Sequence, residues 1–292
     1  MKVCFASIIG RPNVGKSTLL NRIINYNAAI VSNTPQTTRN QITGVLTENG
    51  YQLIFVDTPG IHKPINLLGE FLNKDAFDSL KDIDCLLFLS PANEKVLSGD
   101  KLILEKIKNI ENKIAVISKI DLAKTPEQIN EKISELQNYN FKHIVSISEN
   151  NFKSIESLIQ LIKEFSYEGD PFYEEDFITD KTMRFISKEI IRESAINLLH
   201  DELPHSIAVE INDFFEYEDF VEINATIFVK KRSQKGILIG KDASMIKKIG
   251  TISRKKIQNQ LGIKVVLKTN VKVAEKWVDD KKILKRFGYF SE

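Results

Sequence analysis

From the N-terminus to about Phe165, short apolar runs alternate with segments whose apolar residues recur every three or four positions. That alternation is the sequence form of a mostly parallel sheet covered by helices on both faces. Residues 3–9, 42–47, 52–56, 85–89, 114–118 and 144–147 are read as strands, and 16–24, 100–108, 126–139 and 154–164 as helices. Only Glu48, Asn49 and Gly50 separate the second and third runs, so these two form an antiparallel hairpin at the sheet edge. Residues 167–180 contain Pro171 and the acidic run Glu174-Glu175-Asp176 without either period, and are read as a linker. Beyond it, 181–199 reads as a helix and 205–217 and 220–229 as strands of alternating polarity. The apolar run 237–240, helical stretches near 244–249 and 252–261, a strand at 263–273 and a last amphipathic helix from Ala274 follow. The division expected is 1–166, a linker at 167–180, and 181–292.

Length and composition agree with two domains: 292 residues, 42% hydrophobic and 27% charged, can bury a substantial core. No run reaches the ~18 apolar residues of a spanning helix, and the chain enters a strand without a basic-then-apolar leader. Cys4 and Cys85 each lie inside an apolar run, which suits buried thiols in a reducing cytoplasm. His62, His143, His200 and His205 lack ligand spacing, so no protein-built zinc site is inferred. The net charge of +2 hides an asymmetry. Residues 230–292 hold 18 Lys and Arg against 5 Asp and Glu, a net of +13, leaving −11 on the preceding 229 residues. A basic module on an acidic body fits a polyanionic partner, although a solvated lysine-rich surface has the same composition.

The chemistry enters at Gly10-Arg11-Pro12-Asn13-Val14-Gly15-Lys16-Ser17-Thr18, which follows the first strand and opens the first helix. Glycines let such a loop turn its N–H groups onto phosphate oxygens, and a helix N-terminus beneath adds partial positive charge. Lys16 is assigned to the β and γ phosphates and Ser17 to Mg²⁺. Asp57-Thr58-Pro59-Gly60 ends the third strand, placing a carboxylate beside the metal and the Gly60 amide near the γ-phosphate. Thr38, within Gln36-Thr37-Thr38-Arg39, lies in a loop suited to closing over Mg²⁺ when a γ-phosphate is present. Ser118-Lys119-Ile120-Asp121 ends the fifth strand, where Asp121 can accept from guanine N1–H and the exocyclic amine, a donor pair that adenine lacks. Ser148 and Glu149, after the sixth strand, offer a backbone donor to the guanine carbonyl, and a plain strand-end turn explains them equally well. The catalytic candidates are Lys16, Thr38 and Gly60; the metal candidates are Ser17, Thr38 and Asp57.

These motifs in this order resemble the translation-factor-related GTPases. Residues 10–21, Pro35-Gln-Thr-Thr-Arg39, Val56-Asp-Thr-Pro-Gly-Ile-His62 and Asp176-Phe-Ile-Thr-Asp180 resemble the bacterial Era family over essentially the whole chain. The resemblance implies an α/β, doubly wound P-loop GTPase domain followed by an α+β type II KH domain, using GTP/GDP and Mg²⁺. It implies slow GTP hydrolysis, binding to the 3′ end of 16S ribosomal RNA, and a role in maturing the small ribosomal subunit. It also implies a monomer in the cytoplasm with peripheral contact to the inner membrane. In the KH resemblance the loop that grips single-stranded RNA is Gly240-Lys241-Asp242-Ala243, preceded by Ile239 and followed by Lys247 and Lys248. Of the apolar residues around it, Ile237, Leu238, Ile239, Ile246 and Ile249 belong mainly to the core, one or two lining the groove.

Three positions depart from standard motifs. Ser118 stands where asparagine usually contacts the purine and ties neighbouring loops, and serine is too short to do both. Ile61 stands where many regulatory GTPases carry a water-orienting glutamine, a residue the Era family also lacks. Ala243 replaces the second loop glycine, and Asp242 adds a negative charge. These keep a second reading open, a constitutive RNA-binding protein with a weak or structural nucleotide site. A small-molecule kinase would need a phosphoacceptor pocket and lid for which the sequence has no counterpart. Arg254, Lys255 and Lys256 suit either RNA or solvent, and Trp277 either base stacking or, preferably, packing of the last helix.

Overall fold

Strands buried on both faces must be apolar throughout, and β1 (Lys2–Gly10), β4 (Cys85–Pro91) and β5 (Lys113–Ser118) are the continuous apolar runs that form the centre of the sheet. The computed structural model describes residues 1–32 and 34–289. The chain forms two compact units. One holds Met1–Ala29, Thr38–Ile65 and Gly69–Asp180; the other holds Ile30–Thr37, Asn66–Leu68 and the chain from Lys181 onward.

In the first unit, β2 (Ile42–Glu48), β3 (Tyr51–Asp57), β1, β4, β5 and β6 (His143–Ser146) lie side by side in that order. Only the β2–β3 pair of this row is antiparallel. Asn49 and Gly50 turn that hairpin at φ 50° and 79°, as a tight primed turn requires. The covering helices are α1 (Lys16–Ile24), α2 (Leu67–Asp78), α3 (Ser98–Lys106), α4 (Pro126–Leu136) and α5 (Phe152–Lys163), of which α2, α3 and α4 cross between parallel strands. The sequence reading omitted α2. Its buried stripe is a single row, Leu68, Leu72 and Ala76, too narrow to stand out against its polar neighbours. The free thiols of Cys4 and Cys85 are fully buried, and burial pushes that of Cys4 up to about 12.

Residues 167–180 are more ordered than their sequence implies. β7 (Tyr167–Glu168) pairs antiparallel with Lys2 and Val3. The buried Gln52 amide donates to the Tyr173 carbonyl at 2.8 Å and accepts from the Phe172 amide at 2.7 Å. Val45 N–H donates to the Ile178 carbonyl at 2.8 Å. This segment is held by isolated long-range hydrogen bonds, which leave no periodic trace.

The second unit is a three-stranded sheet in the order β10 (Lys264–Val273), β9 (Phe220–Val229), β8 (Ala208–Glu216). β8 runs antiparallel to β9 with an irregularity between Ile211 and Asp213, and β10 runs parallel to β9. α6 (Met183–Leu198), capped by the Thr182 hydroxyl on the Phe185 amide, packs against β8 and α8 (Ser244–Leu261). α8 is one continuous helix through Gly250, where the sequence suggested two pieces. α7 (Arg232–Ile239) occupies the segment read only as an apolar run. The expected helix from Ala274 begins later, as α9 (Lys281–Arg286), because Asp280 caps it by accepting from the Lys282 and Ile283 amides. Trp277 is fully buried, donates to the Ser206 carbonyl at 3.1 Å and stacks near Tyr289, so it packs rather than offering a face to a base. Among the described residues no helix is long and apolar enough to cross a membrane.

Candidate nucleotide and RNA sites

The loop between β1 and α1 takes backbone angles that open its amides inward: Asn13 at φ 63° and Gly15 at φ 99°. Lys16, fully enclosed, donates from Nζ to the Arg11 carbonyl at 2.9 Å and the Gly10 carbonyl at 3.3 Å. Desolvation pulls its amine down to about 8, against the attraction of Asp57. The loop after β3 lies flush against it, since a Cβ on Gly60 would fall 2.6 Å from the Pro12 backbone. Thr58, fully buried, fixes that loop by donating from Oγ1 to the Ile8 carbonyl at 2.8 Å, and Pro59 is buried beside it.

Ser17, Thr38 and Asp57, three residues distant in sequence, meet at one point. Ser17 Oγ donates to Asp57 Oδ2 at 2.6 Å and lies 2.7 Å from Thr38 Oγ1. Among the described residues Asp57 Oδ1 is buried without a hydrogen-bond partner. Burial raises this carboxyl to about 6, with Lys16 and the Ser17 hydroxyl pulling the other way. Two hydroxyls and a carboxylate with an unused buried oxygen fit a small, hard, oxygen-liganded cation such as Mg²⁺. Ile61, by contrast, turns its side chain into the core with Ile9 and Phe88, and its amide donates to the Gly10 carbonyl at 3.2 Å. Its side chain is therefore unable to orient water.

The residues expected to read the base collect at the ends of β5 and β6. Asp121 is exposed, and the buried Ser148 hydroxyl donates to its Oδ1 at 3.2 Å, a positioning contact that the sequence did not reveal. Ser118 donates from Oγ to the Val14 carbonyl at 2.6 Å, and Lys119, at φ 55°, donates from Nζ to the Asn13 carbonyl at 2.7 Å. Ser118 thus performs the loop-tying half of the expected asparagine role. A cleft beside them is lined by Gly15, Thr18, Lys119 and the exposed Glu149, and also by Arg22 and Ile155, which sequence reasoning missed. Arg22 carried a legible signal, lying one helical turn after Thr18.

In the second unit the loop between α7 and α8 takes positive φ at three of its four residues. Gly240 takes φ 74° and ψ 169°, a region essentially closed to other residues, and a Cβ there would lie 2.8 Å from the Met245 amide. Asp242 at φ 52° and Ala243 at φ 60° follow, so Ala243 holds the conformation a glycine would take. Lys241, Lys247 and Lys248 are exposed around the loop, and Lys247 Nζ donates to the Asp242 carbonyl at 3.3 Å. Leu238 and Ile249 are buried in the core, Ile239 and Ile246 are half-buried, and Ile237 is 55% exposed, an apolar surface for a groove beside the loop.

Residues 5–120 match the family model described as a 50S ribosome-binding GTPase, and residues 202–278 match that of the KH domain. The chain is 68% identical over 289 residues to GTPase Era of Mycoplasmopsis agalactiae, covering 99% of this chain and 100% of the relative. It is 55% identical over 291 residues to GTPase Era of Mycoplasmopsis pulmonis, covering 98% and 99%. A crystal structure of Era in complex with MgGDPNP and nucleotides 1506–1542 of 16S ribosomal RNA is similar at a TM-score of 0.95 and 35% identity, with 100% of both chains covered. A crystal structure of an Aquifex aeolicus Era variant bound to GDP and AlF4⁻ gives 0.94 and 35%, again covering 100% of both.

Two outcomes are expected. Protons should compete with Mg²⁺ for Asp57 below about pH 6, so the Mg²⁺ concentration for half-maximal GTP turnover rises about tenfold per pH unit there and levels off above pH 7. The Asp57→Asn variant supplies the baseline, carrying only the nucleotide's own titration; equal slopes in the two proteins would contradict the assignment. Ala243→Gly should raise the urea midpoint. Releasing a left-handed alanine gains about 1–2 kcal/mol and the looser unfolded chain loses about 0.4–1 kcal/mol, so a lowered midpoint would refute the strain.

Proposed function

Because this chain belongs to the Era family of GTPases, we propose that it times its hold on the 3′ end of 16S ribosomal RNA by binding and slowly hydrolysing GTP, and so assists maturation of the small ribosomal subunit. The observation that carries the reading is the meeting of Ser17, Thr38 and Asp57 beside Lys16, because it joins the loop at Thr38 to a triphosphate-dependent metal site. Residues 1–166 are read as the GTPase domain, 167–180 as the connecting segment and 181–292 as the KH domain. The match to the 50S ribosome-binding GTPases covers residues 5–120 alone, whereas the relative solved with RNA, matched along all of its chain, holds 16S nucleotides.

Each residue then has a role. The amides of Gly10 to Thr18 and the Lys16 amine neutralise the phosphates, and Ser17, Thr38 and Asp57 hold Mg²⁺. When bound, the metal would supply positive charge that offsets the negative charge developing on the phosphates. The Gly60 amide faces the γ-phosphate, and Asp121, steadied by Ser148, selects guanine through its N1–H edge. With the Ile61 side chain in the core, that position cannot polarise the attacking water, so turnover is slow until another group or a partner positions it.

Coupling to RNA is supported by connectivity. Thr38 belongs to the first unit and Thr37 to the second, one peptide bond apart, and within the second unit the buried Arg192 donates to the Thr37 carbonyl. Closure of Thr38 on the metal therefore pulls on a segment anchored beside α6. RNA is received at Ile239–Ala243 with Lys247 and Lys248, its bases against the apolar surface and its phosphates against the lysines. The protein is read as a cytoplasmic monomer; its basic surface also suits peripheral contact with the anionic inner membrane.

The test is fluorescence anisotropy of a labelled RNA copying the 3′ end of 16S ribosomal RNA, titrated with the full chain loaded with GDP or a non-hydrolysable GTP analogue. Tighter binding of the triphosphate form is expected, with GTP turnover stimulated by the RNA. Equal affinity in both states would refute the timing role. Undetectable turnover with and without RNA would favour the constitutive RNA-binding reading.

A further inference from the structure

One side chain of the phosphate loop has no part in the nucleotide motifs. Arg11 Nε lies 2.8 Å from Asp100 Oδ2, and Arg11 Nη2 lies 2.6 Å from Glu94 Oε2. Asp100 is fully buried in the first turn of α3, where the same oxygen accepts from the Leu97 amide at 2.9 Å. Next to it, a Cβ on Gly99 would fall 2.7 Å from Arg11 Cδ, so the opening turn of α3 is shaped around the arginine stem. A guanidinium that meets two carboxylates has already spent its charge and is poorly placed to serve a phosphate.

The remainder of the loop is anchored by other elements. Lys119 holds the Asn13 carbonyl, Ser118 holds the Val14 carbonyl, and Gly60 presses on Pro12. Among these side-chain anchors, that of Arg11 holds the N-terminal limb, whose own carbonyls at Gly10 and Arg11 receive Lys16 Nζ. We propose that Arg11, clamped by Asp100 and Glu94, is a positioning residue for GTP binding: it fixes the N-terminal limb of the phosphate loop and, through it, Lys16, without itself touching phosphate. The inference rests on the loop being the GTP site.

The clamp can be loosened in two independent ways. Asp100→Asn removes the charge while keeping the side chain's shape. Gly99→Ala leaves both charges and displaces the arginine stem, while alanine in place of glycine favours the helix. GTP KM and kcat, the affinity for a fluorescent GDP, and the thermal midpoint would be measured for the full chain and these variants, with Arg11→Met and the Arg11→Met/Asp100→Asn double variant. Asp100→Asn is expected to raise KM about tenfold with kcat changed less than about threefold, and the double variant to be no worse than the poorer single one. Gly99→Ala is expected to raise KM while its thermal midpoint holds or rises, a split that a merely structural contact would not produce. Unchanged KM in Asp100→Asn and Gly99→Ala, or losses that add in the double variant or follow the thermal midpoint, would overturn the clamp. Failure of the unaltered protein to bind GTP would instead overturn the reading of the site itself.

Discussion

A loop that binds phosphate through backbone amides must keep those amides turned toward a space that holds no protein atom, and it must do so before the ligand arrives. Asn13 and Gly15 hold left-handed angles to achieve this, a conformation that persists only when the surroundings over-determine it. Here the surroundings do. Ser118 and Lys119 reach in from the end of β5, Gly60 closes from the end of β3, and Asp100 and Glu94 take Arg11 from the α3 side. Each sits at the edge where the parallel strands end, so the topology of the sheet brings the anchors together.

The same enclosure takes two opposite charges out of water. Burial pulls Lys16 down to about 8 and raises Asp57 to about 6, the response of two charged groups taken out of water without full compensation. A triphosphate supplies the negative charge that Lys16 lacks, and a divalent cation supplies the positive charge that Asp57 lacks. The second unit repeats the mechanical half of this device. Gly240, Asp242 and Ala243 form another loop with left-handed angles at the start of a helix, where amides and partial positive charge collect as they do at the start of α1. The two units differ in what surrounds the loop, buried opposite charges in one and exposed lysines with an apolar Ile237 in the other.

Much of this was legible in the sequence wherever the signal is local. The strand, loop and helix around Gly10 to Thr18, the Asn49-Gly50 hairpin, and Asp57 and Asp121 at strand ends all follow from spacing alone. Helix α2 was hidden by a one-row apolar stripe, and α7 by its shortness and basic content. The ordering of residues 167–180, the Ser148 hydroxyl on Asp121 and the Arg11 clamp depend on partners up to 166 residues away in sequence, which no periodicity encodes. Ser118 shows the limit from the other side. Its shortness was readable, but that its hydroxyl is committed to Val14 only the folded chain reveals.

The central claim is that Lys16, Ser17, Thr38 and Asp57 form one GTP·Mg²⁺ site, so that binding steadies the phosphate loop, the Thr38 segment and the loop after β3 together. Hydrogen–deuterium exchange of the full chain with and without a magnesium-bound GTP analogue tests this most directly. Slowed exchange confined to residues 12–18, 37–39 and 57–61, with the strands around them unchanged, is the predicted result. Unaltered exchange in those segments, or slowing spread across the first unit, would contradict it.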